Sequence, residues 1–148
     1  MENKEIKVLV FSINGETYST DIMEVERILV YESPTKLPDS PDFVEGVINY
    51  EGSILPVISL SYKFNGKRNV IGSESKIIVS KQDENKIGII VDIVSEVKDI
   101  NANDIELPPE IVSGISKRYI KGLIKIKDKI IIFLNLRTIL TEAEKKLI

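Results

Sequence analysis

The sequence contains neither cysteine nor histidine among its 148 residues. Without cysteine, the chain has no disulfide, no thiolate nucleophile and no sulfur-ligated zinc. Without histidine, it lacks the commonest general base and the commonest transition-metal ligand. No two glycines are separated by a single residue, so a G-x-G phosphate-binding loop is excluded, as is a P-loop. These absences argue against an enzyme, and we expect neither a cofactor nor a metal.

Charge and hydropathy patterning give no sign of a nucleic-acid or membrane partner. The net charge is -3 and the pI is about 5.2, so no basic surface is indicated for a phosphate backbone or an anionic membrane. The longest purely apolar run, residues 130–134, is too short to cross a bilayer. The first residues lack the apolar segment of a signal peptide. We therefore expect a cytosolic protein.

The hydrophobic pattern predicts an all-β fold. Residues 6–13 and 17–22 are rich in β-branched side chains and flank Asn14-Gly15, which is typical of a β-hairpin. Short helices are predicted at 42–45 and 137–146. Further strands are predicted at residues 25–31, 46–50, 54–60, 76–80, 86–91, 95–100, 122–127 and 130–136.

An internal repeat relates the two halves of the chain. Residues 43–60 align without gaps on residues 119–136, with Gly46 on Gly122 and Leu60 on Leu136. The abundance of isoleucine is the alternative explanation for this match. A duplication predicts a single domain, 1–148, made of two intertwined lobes at roughly 15–70 and 71–136. The N-terminal strand and a helix at 137–147 complete it, and the lobes share a core because each half alone is small.

The segment 41–60 resembles the signature of the CheW family of bacterial chemotaxis coupling proteins. In that family a Pro-x-aromatic-x-x-Gly-Val-x-Asn stretch leads into a glycine turn and an Ile-x-Pro strand, as at Pro41, Gly46, Asn49 and Pro56 here. The resemblance covers nearly the whole chain, from about residue 7 to 140. Other blocks that agree in order and spacing are Phe11 with Gly15 and Tyr18, residues 88–97, and Gly122 with residues 132–136.

The resemblance implies two packed, five-stranded SH3-like barrels and a non-catalytic adaptor. Such adaptors hold the histidine kinase CheA to the cytoplasmic tips of chemoreceptors, the methyl-accepting chemotaxis proteins, and are recruited to membrane-bound receptor arrays. By similarity the kinase's regulatory domain binds at the barrel ends, where Ile111 is a candidate contact or, alternatively, an inward-facing loop residue. The receptor tip is expected in a groove between the lobes, lined by Val25, Ile28, Gly46, Ile54 and Val97, with Arg27 and Glu51 at its edge.

Two positions depart from the family pattern. The family usually has Asn-Leu-Arg-Gly where this chain has Asn49-Tyr50-Glu51-Gly52, and often an acidic residue at the position of Arg27. We therefore expect an ion pair of reversed polarity between Arg27 and Glu51. The alternative is two unrelated surface charges, and simple core packing is the alternative role for Val25, Ile28 and Ile54.

Three other functions compete with this interpretation. One is a coupling-type module of a longer protein, such as a receiver-bearing chemotaxis adaptor or the kinase itself, although the ends of the chain lead us to expect a complete protein. A second is a small carboxylate-dependent β-barrel hydrolase, which requires a pocket with convergent Asp and Glu side chains. A third is a nucleic-acid-binding barrel, which the net charge disfavours.

Overall fold

A computed structural model describes residues 4–81, 85–108 and 118–147, and most of them belong to β-strands. Two α-helices lie wholly within the described residues, α1 (Leu60–Asn65) and α2 (Glu142–Lys145), together with three 3-10 turns at Ile22–Glu24, Ala102–Asp104 and Leu136–Thr138. The strands are β1 (Glu5–Ile13), β2 (Glu16–Asp21), β3 (Val25–Val30), β4 (Val44–Tyr50), β5 (Ser53–Ile58), β6 (Lys76–Lys81), β7 (Lys86–Val91), β8 (Ile93–Asn101), β9 (Ile105–Glu106), β10 (Ile120–Ile126) and β11 (Lys129–Leu134).

The strand predictions are confirmed to within a few residues, whereas the helix predictions need correction. Residues 42–45 form a turn and the start of β4 instead of a helix. The strand predicted to reach Leu60 ends at Ile58, because the Ser59 side chain accepts a hydrogen bond from the Tyr62 amide and begins α1. The predicted C-terminal helix is divided into a 3-10 turn and α2. A capping box between Thr141 and Glu144 starts that second helix.

The strands form two sheets, each of which contains strands from both repeats. The first barrel has the order β3-β6-β7-β5-β4, and the second has β8-β1-β2-β11-β10-β9. Each repeat therefore gives its leading hairpin, β1–β2 or β6–β7, to the sheet of the other repeat. The sheets do not follow the lobe ranges 15–70 and 71–136, because β6 and β7 lie in the first barrel and β2 in the second. The two-residue strand β9 is an addition to the five strands predicted for a barrel.

The repeat is visible in the hydrogen-bond register. Every residue pair between β4 and β5, from Val44–Ile58 to Tyr50–Ser53, has its counterpart between β10 and β11. Both hairpins shift register just before the aligned glycines, Gly46 and Gly122. Leu60 and Leu136 are both fully buried, as their alignment predicts.

Three apolar clusters account for the two barrels and their packing. One, including Leu55, Val57 and Ile77, fills the first barrel, and another, including Val10 and Phe133, fills the second. The largest lies between the sheets and takes side chains from both of them. It contains Leu9, Phe11, Tyr18, Ile58, Ile78, Ile89 and Leu134. The predicted all-β architecture of two packed barrels with a shared core is confirmed.

Closure of the first barrel brings its two edge strands together. β3 and β4 lie at opposite ends of the strand order, yet the Tyr50 hydroxyl on β4 donates a hydrogen bond to Glu26 Oε2 on β3 over 2.7 Å. Leu29 and Tyr31 of the β3 segment pack against the same cluster as Ile48 and Tyr50. Residues that are distant in the sheet thus form one continuous surface at the end of the barrel.

Candidate functional site

The predicted ion pair lies at this closed end of the first barrel. Arg27 on β3 contacts Glu51 in the β4–β5 turn, with 3.1 Å between Nη1 and Oε2. The turn consists of Glu51 and Gly52, both with positive φ, as a tight two-residue hairpin turn requires. Both charged side chains are about half exposed, at 54% and 53%. The expectation that Arg27 reaches Glu51 is confirmed, and the arrangement is a solvent-accessible rim instead of a buried pair.

The buried Tyr50 ring contacts Arg27 of the ion pair and a second cation, Lys86. The guanidinium carbon of Arg27 lies 5.8 Å from the centroid of the Tyr50 ring, and Lys86 Nζ lies 5.7 Å from the same centroid. Such contacts attract a cation to the electron-rich face of the ring. Tyr50 is only 6% exposed, so the ring is a fixed platform for both cations.

Glu26 on the edge strand β3 contacts both Tyr50 and Lys86. Its Oε2 accepts a hydrogen bond from the Tyr50 hydroxyl and lies 2.9 Å from Lys86 Nζ. The hydrogen bond from Tyr50 and then the contact with Lys86 lower the pKa of Glu26, while the same hydrogen bond raises the pKa of Tyr50. The two cations and two carboxylates of this rim are therefore paired with each other.

Three members of this site were not predicted from the sequence: Glu26, Tyr50 and Lys86. Glu26 and Tyr50 directly precede Arg27 and Glu51 in the chain, so adjacency to the two departures from the family pattern was the available signal. Lys86 gives no such signal, because only the pairing of β7 beside β5 brings it to this end of the barrel.

A surface cavity of about 480 Å³ adjoins the rim and exposes Ile54. Its lining includes Tyr50, Glu51 and Lys86, and Ile54 at 71% exposure is one of the most exposed large apolar residues. Among the described residues, the lining of this cavity includes one carboxylate, Glu51, which is paired with Arg27. A second cavity, of about 870 Å³ beside Tyr18, likewise has one carboxylate, Glu16, in its described lining. The described residues of these two cavities do not supply the converging Asp and Glu side chains that the hydrolase alternative requires.

The other predicted groove residues lie along two equivalent edge strands. Ile28 on β3 is 38% exposed and Val97 on β8 is 53% exposed. They occupy matching places after a bulge, because Ile28 pairs with Ile78 and Val97 pairs with Leu9, and both partners belong to the shared core. Val25 is half-buried against that core. Core packing therefore describes Val25 but not Ile28 or Ile54, whose side chains reach solvent.

Gly46 has a structural role that is plain from its geometry. It is buried with φ +144°, and a Cβ there would overlap the carbonyl group of Thr35. Thr35 pairs with Val47 through two backbone hydrogen bonds of 2.8 and 2.9 Å, which cover the outer edge of β4. Gly46 thus influences a partner only through the shape of its strand. The kinase-contact candidate Ile111 lies outside the described residues.

The described residues contain no group of three or more acidic side chains placed to hold a metal ion. No helix in the ranges 4–81, 85–108 and 118–147 combines the length and hydropathy that a membrane span needs.

Comparison with known proteins gives a consistent result. Residues 7–144 match the model of the CheW-like domain. The chain is 34% identical over 143 residues to Chemotaxis protein CheW of Thermotoga maritima, covering 97% of this chain and 93% of that protein. It is 31% identical over 140 residues to Chemotaxis protein CheW of Klebsiella aerogenes, covering 95% and 84%.

A solved structure shares the fold over nearly the full length. The crystal structure of the scaffolding protein TtCheW from Thermoanaerobacter tengcongensis superposes with a TM-score of 0.86 at 36% identity, covering 97% of this chain and 92% of that one. The family match spans more than nine-tenths of the described strands, including both edge strands and the rim. On sequence and on structure, the chain belongs to the CheW family of chemotaxis scaffold proteins.

Proposed function

We propose that this chain couples the cytoplasmic tips of chemoreceptors to the histidine kinase CheA, as a non-catalytic adaptor in the cytoplasm that is recruited to receptor arrays. The observation that carries the proposal is the rim at the closed end of the first barrel. There, Arg27 and Glu51 form an exposed ion pair beside the exposed apolar side chain of Ile54. Interfaces combine a few apolar contacts, which supply affinity, with charges that set orientation, and this rim has both.

The receptor contact on this proposal includes the two equivalent edge strands. Ile28 and Val97 each lie beside a residue of the shared core, so a receptor helix that contacts both lies across the junction of the barrels. Helices commonly dock through apolar side chains spaced along one face, which suits two separated apolar contacts. Val25 and Gly46 act here by supporting the strands that present the contacts.

The kinase contact is proposed at the barrel ends, with Ile111 as the candidate residue. It is separate from the rim in this proposal, because an adaptor must bind both partners at once. The net charge of -3 supports protein partners over a nucleic acid.

Two calorimetric titrations test the proposal. A receptor cytoplasmic-tip fragment and the regulatory domain of CheA are titrated separately into the purified chain, and each is expected to bind with one-to-one stoichiometry. A third titration, with single-stranded DNA at two salt concentrations, is expected to show no heat of binding. Failure of either protein to bind, or binding of DNA alone, would contradict the adaptor function.

A further inference from the structure

The chain crosses from the second barrel to the first at the 3-10 turn Ile22–Glu24, directly before β3. Asp21, the last residue of β2, caps this turn by accepting a hydrogen bond from the Met23 amide over 2.9 Å. Ile22 packs against the shared core, Met23 is 74% exposed, and Glu24 is only 6% exposed. The residue before the proposed receptor strand is therefore a buried carboxylate.

The surroundings of Glu24 come from the second barrel. Lys121 Nζ on β10 lies 4.0 Å from Glu24 Oε1, and the backbone amide of Leu136 also favours the carboxylate. Neither oxygen has a hydrogen-bond partner of normal geometry in the described part of the chain. Lys121 is 38% exposed and also lies 5.3 Å from the ring centroid of Phe133. Glu24 thus connects the start of a first-barrel strand to two elements of the second barrel.

A buried charge with these partners lowers the stability of the folded protein. Burial is the main cause of a raised pKa for Glu24, and Asp21 adds to it, while Lys121, Arg137 and the Leu136 amide oppose it. Because the folded-state pKa is raised, ionisation of Glu24 costs folding free energy as the pH rises through that pKa. Replacing a buried ion pair by well-packed apolar residues of similar volume is often neutral or stabilising. Stability alone therefore does not account for a carboxylate at this position.

We propose that Glu24 is a positioning residue for β3, whose contact with Lys121 fixes how the strand leaves the crossover and so where it presents Arg27 and Ile28. The role follows from the connectivity, because Val25 is both the C-cap of the turn and the first residue of β3. Buried ionic groups are best documented as determinants of a unique packing arrangement. The consequence for receptor binding rests on the proposed function, whereas the effect on the strand itself does not.

The test is amide hydrogen exchange of the Glu24→Gln variant, with Lys121→Met and the double variant beside it. Glutamine keeps the shape of the side chain and one carbonyl oxygen but loses the charge that attracts Lys121. We expect amides of β3 to exchange about threefold to tenfold faster in each single variant, with no further increase in the double variant. Amides of β7, which does not pair with β3, should keep their protection. Glu24→Gln should also be at least as resistant to urea as the parent protein at neutral pH.

The matched control is Lys125→Met, which changes an exposed lysine on the same strand and should leave exchange in β3 unchanged. Unchanged β3 exchange in Glu24→Gln overturns the proposal, and so does a uniform increase throughout the molecule, which is the sign of a general structural role. If β3 changes as expected, affinity for the receptor fragment should fall about threefold or more. If β3 amides exchange faster as expected but the parent protein binds no receptor fragment, the proposed function is contradicted. The positioning role of Glu24 is then still supported.

Discussion

The two barrel ends have equivalent backbones and different side chains. The tight turn after β4 contains Glu51 with φ +51°, and the matching turn after β10 contains Lys127 with φ +53°. The bulged edge strands match as well, so that Arg27 on β3 corresponds to Glu96 on β8. Each end therefore places one acidic and one basic residue at corresponding positions, with opposite polarity.

The two charges form an ion pair only at the first barrel end. Arg27 pairs with Glu51, but none of the ion pairs among the described residues joins Glu96 to Lys127. The difference lies beneath the charges: the first end has Tyr50 under Arg27, where the second has Ile126, and it has Glu26, where the bulge of β8 has Ser95. A duplicated fold supplies the backbone positions, and the aromatic platform with its hydrogen-bonded carboxylate orders one pair of charges.

The largest effect on stability is expected at the aligned glycines, Gly46 and Gly122. Gly46→Ala combines a positive φ with overlap of the Thr35 carbonyl, so it should cost about 3 kcal/mol or more. Gly122→Ala has no such φ, although a Cβ there would overlap Ile105 and approach the Glu106 carbonyl oxygen, and it should cost about 1–2 kcal/mol. Urea denaturation measures both. Equal losses would show that the two bulges are under the same constraint.

The largest effect on binding is expected from Val97→Asp. A receptor helix across the barrel junction would have to desolvate an unpaired carboxylate, and affinity should fall about a hundredfold. Because Val97 is 53% exposed, the variant should remain folded by circular dichroism. Ile130→Asp is the matched control, since Ile130 is similarly exposed at 58% but lies at the second barrel end, outside the proposed groove. Full-strength receptor binding by a folded Val97→Asp variant would exclude the groove.

The sequence predicted the backbone features that the two barrel ends share better than the side-chain contacts that distinguish them. Period-2 patterning and the gapless repeat were enough for the strands, the shared core and the correspondence of Gly46 with Gly122. The exchange of hairpins between the two sheets could not be predicted from the sequence, because the local hydrophobic pattern does not reveal that β7 pairs with β5 and β11 with β2. Helix α1 was missed because its apolar residues continue the strand pattern, and only the cap at Ser59 marks the change.

The candidate site was predictable where a residue departs from a known pattern. Arg27 and Glu51 stood out for that reason, and the structure pairs them. Tyr50 and Glu26 were not predicted as site residues. A tyrosine at the end of an alternating strand is typical of the core, and a glutamate on an edge strand is typical of the surface. Their role depends on barrel closure, which is a tertiary property.

Exchange of the rim charges tests whether the order of the first end matters for binding. Arg27→Glu or Glu51→Arg alone should weaken receptor binding by about tenfold, and the double variant should recover much of that loss. The effect of each on stability should be only about 0.2–1 kcal/mol, since the pair is exposed. The control exchange, Glu96→Lys with Lys127→Glu, should show additive and small effects. Additive losses at the first rim would contradict a functional pair.

The smallest effect expected concerns the pH dependence of stability. The pKa of Glu26 is lowered in the folded state, so its contribution is present above the unfolded-state pKa and is lost as the pH falls through the folded-state pKa. Tyr50→Phe removes the main cause of that shift. The loss of stability between about pH 7 and about pH 3 should therefore be smaller in Tyr50→Phe than in the parent protein, as measured by urea unfolding. An identical pH profile would show that the hydrogen bond does not order this end.

The most direct test of the adaptor function is reconstitution of a three-component complex. A receptor cytoplasmic-tip fragment is immobilised, and retention of CheA is measured with and without this chain, then with the Val97→Asp variant. We predict that CheA is retained only when the chain is present and that Val97→Asp abolishes retention. Retention of CheA in the absence of the chain would contradict a coupling role. So would a chain that binds one partner only when the other partner is present in excess.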